Sequence, residues 1–127
     1  MNRIVIVGVP RSGKTTFSRE LAGRLGHSTR HTDDLIGKLD WSGASMHAST
    51  WFDSPGPWII EGVAAVRALR KWLAANENGA PCDRIYWLGS PRLELSPGQA
   101  TMAKGCSTVW REILPELRGR GVAVESR

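Results

Sequence analysis

Eight residues near the N-terminus have types and spacing suited to one chemical job. Gly8-Val9-Pro10-Arg11-Ser12-Gly13-Lys14-Thr15 fits G-x-x-x-x-G-K-[ST], directly after the apolar run Ile4-Val5-Ile6-Val7. In such a segment the glycines let the backbone turn tightly, so that successive N–H groups point inward and form a nest for an anion. Lys14 is then placed to reach the β- and γ-phosphates of a nucleoside triphosphate, and the Thr15 hydroxyl to ligate Mg²⁺. From Thr16 onward, Phe17, Leu21 and Leu25 recur at i, i+4 and i+8, which makes one apolar helical face. The loop therefore opens onto a helix N-terminus, whose dipole also favours phosphate. The expectation is that Gly8 to Thr16 bind ATP, with Mg²⁺ as its companion.

Carboxylates are the other requirement for phosphoryl transfer: one to orient or deprotonate an attacking hydroxyl, others to hold Mg²⁺ through its waters. Asp33-Asp34 and Glu61 are the acids whose surroundings fit. Asp33 is the first choice for the acceptor-facing base. Asp34 is the alternative, because a one-residue shift in the preceding strand would exchange them, and it could instead cap a helix. Glu61 could bind Mg²⁺ through water, contact the acceptor, or simply end a strand in solvent. Gly62, next to it, would allow close backbone approach.

The elements that must position these groups are short apolar strands alternating with helical stretches, the pattern of a parallel sheet covered on both faces. Strands are expected at Arg3–Val7, Ser28–His31, Trp58–Ile60, Arg84–Leu88 and Val122–Val124. A helix fills the first gap, and the second is a long connection from Leu35 to Pro57, rich in Ser, Gly, Trp and Pro. Helical periodicity returns with Val66, Leu69, Trp72 and Leu73. After a turn at Leu95-Ser96-Pro97-Gly98 it returns again with Val109, Trp110, Ile113, Leu114 and Leu117. With right-handed crossovers this gives a three-layer α/β domain over residues 1–127, a five-stranded parallel sheet with helices on both faces. Ligands in such sheets lie at the carboxyl ends of the strands, where the glycine loop, the aspartate pair and Glu61 all fall.

The totals narrow the class. Lys plus Arg number 17 against 12 acids, a net charge of +5 that invites an anionic partner such as nucleic acid, although ATP phosphates and solubility explain it equally well. Cys82 and Cys106 have neither metal-ligand nor C-x-x-C spacing and read as reduced thiols. His27, His31 and His47 form no ligand spacing. The N-terminal apolar run is too short for a signal peptide and nothing approaches membrane-spanning length, so a cytoplasmic, soluble protein is expected.

Gly8 through Thr16, Thr32-Asp33-Asp34-Leu35, Trp58-Ile59-Ile60-Glu61-Gly62 and Ile85-Tyr86-Trp87-Leu88 together resemble the small P-loop kinases: adenylate, shikimate and gluconate kinases and the kinase domain of phage polynucleotide kinase. The resemblance implies the P-loop kinase fold, ATP with Mg²⁺, and a general base at Asp33, the first of two aspartates after the second strand. The group's basic residue shortly after that pair is not matched, since Ile36 stands there and Lys38 is the nearest cation. It implies Glu61 at the Walker B position, a lid whose cations here would be Arg92 and Lys104 (Arg111 lying inside the helix), and an acceptor held by the second-to-third-strand connection. That connection carries Lys38, Trp41, His47, Trp51 and Phe52, with Trp58 close by. Indole faces stack on bases, or else cover the sheet edge. Arg67, with Arg70 and Lys71, either faces the acceptor or belongs to a solvated helix face.

Small size, basicity, a thin lid and the aspartate pair also resemble short phage kinases that phosphorylate 5-hydroxymethyluracil within DNA, a step toward hypermodified thymine and evasion of host restriction. The location implied is then the host cytoplasm. A kinase of a free nucleotide or small hydroxylated metabolite, and an accessory P-loop ATPase that needs a partner, remain open.

Overall fold

A computed structural model describes residues 3–127. Five strands, β1 (Arg3–Gly8), β2 (Ser28–His31), β3 (Trp58–Glu61), β4 (Arg84–Leu88) and β5 (Ala123–Ser126), form one parallel sheet in the order β2-β3-β1-β4-β5. The helices are α1 (Lys14–Leu25), α2 (Trp41–Trp51), α3 (Ala65–Ala75) and α4 (Pro97–Gly119), with a single 3₁₀ turn over Thr32–Leu35.

Alternation along the central strand explains the layers. Val5 and Val7 point to one face, where Ile60 and Ile85 join them under Leu69, Trp72, Val109, Trp110 and Ile113 of α3 and α4. Ile4 and Ile6 point to the other, with Ile59 and Leu88, and meet Phe17 and Leu21 of α1. A strand buried on both sides reads as an unbroken apolar run, which is what Ile4–Val7 is. Trp87 stacks on Trp110 with ring centroids 5.1 Å apart, fixing α4 to β4. The sheet, its parallel pairing and its helices on both faces agree with the expected three-layer architecture.

Four expectations need correcting. The Leu35–Pro57 connection contains α2, whose core-facing side is Ala44, Ser45, Ala48 and Ser49. These residues are too small to announce a helix by hydrophobicity. The last helix begins at Pro97, ahead of its apolar positions, because Ser96 and Gln99 form a capping box: Ser96 Oγ accepts from the Gln99 N–H (3.2 Å) and Gln99 Oε1 from the Ser96 N–H (3.0 Å). Leu25, the third member of the predicted α1 face, is exposed as the helix runs past the sheet. The last strand begins one residue later than expected and runs to Ser126. No helix among the described residues is long and apolar enough to cross a membrane.

Candidate active site

The glycine loop closes over the carboxyl end of β1. Gly13 sits at the α1 N-cap position in the left-handed region (φ 89°), with no side-chain cap on the helix. A Cβ at Gly13 would also stand 2.9 Å from the Arg92 guanidinium, a flexible end that can move aside, so it is the left-handed backbone that requires glycine. The N–H groups of the first α1 turn are thus left for a ligand. Arg11, also left-handed (φ 58°), accepts a backbone hydrogen bond from Arg92 (2.8 Å), which ties the segment after β4 across the loop. Lys14 is folded back: its Nζ donates to the Val9 carbonyl (2.8 Å) and reaches Ser12 Oγ (3.5 Å). Burial pulls the Lys14 pKa down, opposed first by the charge of Glu61 and more weakly by that of Asp33. A buried ammonium flanked by acids is primed to receive phosphate oxygens.

Arg11 through Thr16 share one cavity with Asp33 and Val63. The 3₁₀ turn after β2 thus delivers Asp33 to the phosphate loop, as the sequence led us to expect. Asp34, although equally exposed, does not line that cavity. Glu61 is buried at the end of β3, in register with Ile6 of β1 and His31 of β2. One of its oxygens, Oε1, hydrogen-bonds to His31 Nδ1, whereas Oε2 is buried with no partner. The backbone turns immediately afterwards at Gly62 (φ 138°), where any Cβ would collide with the Thr32 hydroxyl. Among the described residues no three His, Cys, Asp or Glu gather as a metal cage. The unpartnered Glu61 Oε2 and the exposed Thr15 hydroxyl fit a hydrated Mg²⁺ carried in on phosphates rather than one held by protein ligands alone.

A second cavity, of about 480 Å³, adjoins the first through Val63 and is lined by Trp41, Arg67, Thr101, Met102 and Cys106. The Cys106 thiol packs 3.6 Å from the Gly8 carbonyl and 3.9 Å from that of Val63, and burial pushes its pKa up, so it acts as a neutral spacer between α4 and the loop. A third cavity, of about 310 Å³, lies on the opposite side of the loop, between Ser12, Phe17, Leu88, Pro91, Arg92 and Arg127. Sequence reasoning missed Val63, Thr101, Met102 and the His31–Glu61 pair. The strand register alone, which sets His31 beside Glu61, could have signalled the last.

Several expected site residues are not brought here. Trp51 lies at the far end of α2, with Arg30 over its ring at 5.8 Å and His47 edge-on, away from the Trp41 cavity. Phe52 and Trp58 are core residues, so covering the sheet explains them. Lys38 is exposed on the loop before α2 and lines neither cavity. Of the α3 cations only Arg67 faces the site: Arg70 pairs with Glu112 (3.3 Å), and Lys71 donates to the Ser42 carbonyl (3.0 Å). Because α4 starts at Pro97, the expected lid shrinks to the loop 89–96. Arg92 remains beside the phosphate loop, but Lys104 stands within α4 on a different groove.

Against solved structures, the chain matches a shikimate kinase from Acinetobacter baumannii in complex with shikimate at a TM-score of 0.58 and 13% identity, covering 100% of this chain and 84% of that one. It also matches the deoxyadenosine kinase from M. mycoides with bound dATP at 0.51 and 10% identity, covering 98% and 89%. The fold is that of the P-loop kinases. At such identities the likeness speaks for the architecture alone. No protein-family model and no curated protein matches the sequence.

Proposed function

We propose that the protein is an ATP-dependent phosphotransferase that moves the γ-phosphate to a hydroxyl acceptor. One observation carries the reading: the cavity of the phosphate loop, which holds Asp33, shares Val63 as a lining residue with a separate cavity of the size of a small ligand. A pure ATPase needs only the first. In the proposed reaction the acceptor hydroxyl lies between the two, within reach of Asp33. Its oxygen attacks the γ-phosphorus, its proton passes to the Asp33 carboxylate, and the bond to the β-phosphate oxygen breaks with the electron pair leaving on ADP. Lys14 turns from the Val9 carbonyl to the phosphates, and Arg92 and the α1 N–H groups neutralise the charge that develops. Thr15 and, through water, Glu61 held by His31 would hold Mg²⁺, which would supply charge neutralisation for the phosphates. The cavity between Phe17, Arg92 and Arg127 is the place for the nucleoside of the donor.

For the acceptor we propose a base carrying a primary hydroxyl within DNA, with 5-hydroxymethyluracil in phage DNA as the specific candidate. Three features support it. The chain carries +5 net charge. Trp41, 39% exposed, offers an indole face at the rim of a base-sized cavity beside Arg67. The covering loop of residues 89–96 is short, so a polymer could close the site itself. A free nucleotide or small metabolite is the competing acceptor. The test is transfer of label from γ-labelled ATP with Mg²⁺ to unmodified DNA, hydroxymethyluracil DNA, and free hydroxylated nucleosides and nucleotides. Label confined to the modified polymer supports the DNA reading. Label on a monomer keeps the kinase and replaces the acceptor, and free phosphate alone contradicts both.

A further inference from the structure

Helix α4 forms a wall of the acceptor cavity through Thr101, Met102 and Cys106, and its other flank is chemically distinct. Ala103, Lys104, Ser107, Thr108 and Arg111 line a separate open groove of about 400 Å³, whose far side is Val9, Gly89 and Pro91. Lys104, Arg111 and Arg118 recur every seven residues, so they lie in one stripe along the helix, drifting only about 20° per step. The stripe runs opposite the buried Val109, Trp110, Ile113 and Leu117. It spans roughly 21 Å.

The charge along it is not compensated. Glu112 and Glu116 are the only acids of α4, and both are drawn to other partners: Glu112 to Arg70 (3.3 Å) and Glu116 to Arg120 (2.6 Å). Among the described residues Lys104, Arg111 and Arg118 take part in no ion pair, and all three are exposed. Solvated helix faces usually interleave both signs, because neighbouring like charges repel and opposite ones at i, i+4 attract. A single-sign stripe leading away from a ligand cavity is the arrangement used to follow an anionic polymer.

We propose that this outer face of α4 is a track for the phosphodiester backbone of single-stranded or locally opened DNA. Lys104 and Arg111 hold phosphates in the groove and Arg118 extends the path, while a neighbouring base enters the cavity between Trp41 and Arg67. The inference deepens the DNA reading above and rests on it for the identity of the polymer. Its three cations set the expected salt dependence, since each phosphate contact on a single strand contributes about 0.7 to the slope of log affinity against log salt.

The experiment is fluorescence anisotropy with a labelled single-stranded oligonucleotide of about 16 nucleotides, titrated across salt concentrations with the 127-residue chain. It compares wild type, Arg111→Glu with Arg118→Glu, and a charge-matched control, Arg19→Glu with Arg24→Glu on α1. Binding of a fluorescent ATP analogue and melting temperature are followed in parallel. The α4 variant should lose about tenfold or more in affinity and lower the salt slope by about 1.4, with nucleotide binding unchanged, while the α1 control loses far less. Equal losses in both variants overturn the proposal, as does absence of oligonucleotide binding in the wild type. Displacement by inorganic phosphate as effective per phosphate as by oligonucleotide contradicts a backbone track and points to a free-anion site. Preference for phosphatidylserine vesicles over DNA contradicts it in favour of a lipid surface. Monomer labelling without DNA binding sinks the track and keeps the kinase. Stripe-dependent DNA binding without labelling of any acceptor does the reverse.

Discussion

Helices α1 and α4 begin on either side of Arg11, yet their first turns are finished in opposite ways. The α4 terminus is closed by its own side chains, Ser96 and Gln99, with Pro97 where no N–H is needed. The α1 terminus has Gly13 as its cap and no side-chain acceptor at all. Orphan N–H groups cost free energy unless something satisfies them, so an uncapped terminus facing a cavity marks where a ligand completes the structure. The same contrast appears at α2, where Asp40 accepts from the Gly43 N–H (2.6 Å). Helix α3, with Ala64 at its N-cap, also lacks a side-chain cap, but of the two open ends it is that of α1 that follows the phosphate loop.

That contrast can be broken by mutation. Lys14→Ala should abolish ATP-dependent turnover, by about three orders of magnitude, and retained turnover would contradict the phosphate-loop assignment. Gly13→Ala should weaken nucleotide binding about tenfold, since left-handed backbone costs an alanine about 1–2 kcal/mol and its methyl would displace Arg92. Calorimetric titration of an ATP analogue checks this. Trp41→Ala should raise the acceptor KM about tenfold by loss of roughly 1–2 kcal/mol of stacking, leaving the KM for ATP unchanged. Trp51→Ala should alter only the melting temperature, and an equal effect on acceptor KM would return Trp51 to the site. Ser96→Ala should cost about 1 kcal/mol of stability, seen as a lower denaturation midpoint, with nucleotide affinity intact. If it weakened nucleotide binding as Gly13→Ala does, the two helix ends would not differ in function.

Where large side chains face the core, the sequence was legible. The strands announce themselves through Ile4–Val7, Trp58–Ile60 and Ile85–Leu88, and the phosphate loop through residues that have separate physical jobs. Helix α2 was hidden because its inner face is built from Ala44, Ser45, Ala48 and Ser49, which pack closely but carry almost no hydrophobic contrast. Its signals were Asp40 as a cap and alanines four apart. The start of α4 looks like a turn in the sequence because Ser-Pro-Gly-Gln serves both purposes, and only the hydrogen bonds of Ser96 and Gln99 decide. The site followed the same rule. Asp33 was readable from its place after a strand, and Trp41 was distinguished from Trp51 only by the helix that puts them at opposite ends. The partnership of His31 with Glu61 depends on strand register, which no local pattern encodes.

In the proposed reaction Asp33 and the phosphate loop form one active site with the cavity beyond Val63. The most direct measurement compares Asp33→Asn with Asp34→Asn for two quantities, the affinity for an ATP analogue and the single-turnover rate of phosphate transfer to the best acceptor. Asp33→Asn should keep nucleotide affinity within about twofold yet slow transfer by about 10²–10⁴, while Asp34→Asn changes neither. Unimpaired transfer in Asp33→Asn, or the loss appearing in Asp34→Asn instead, would contradict it.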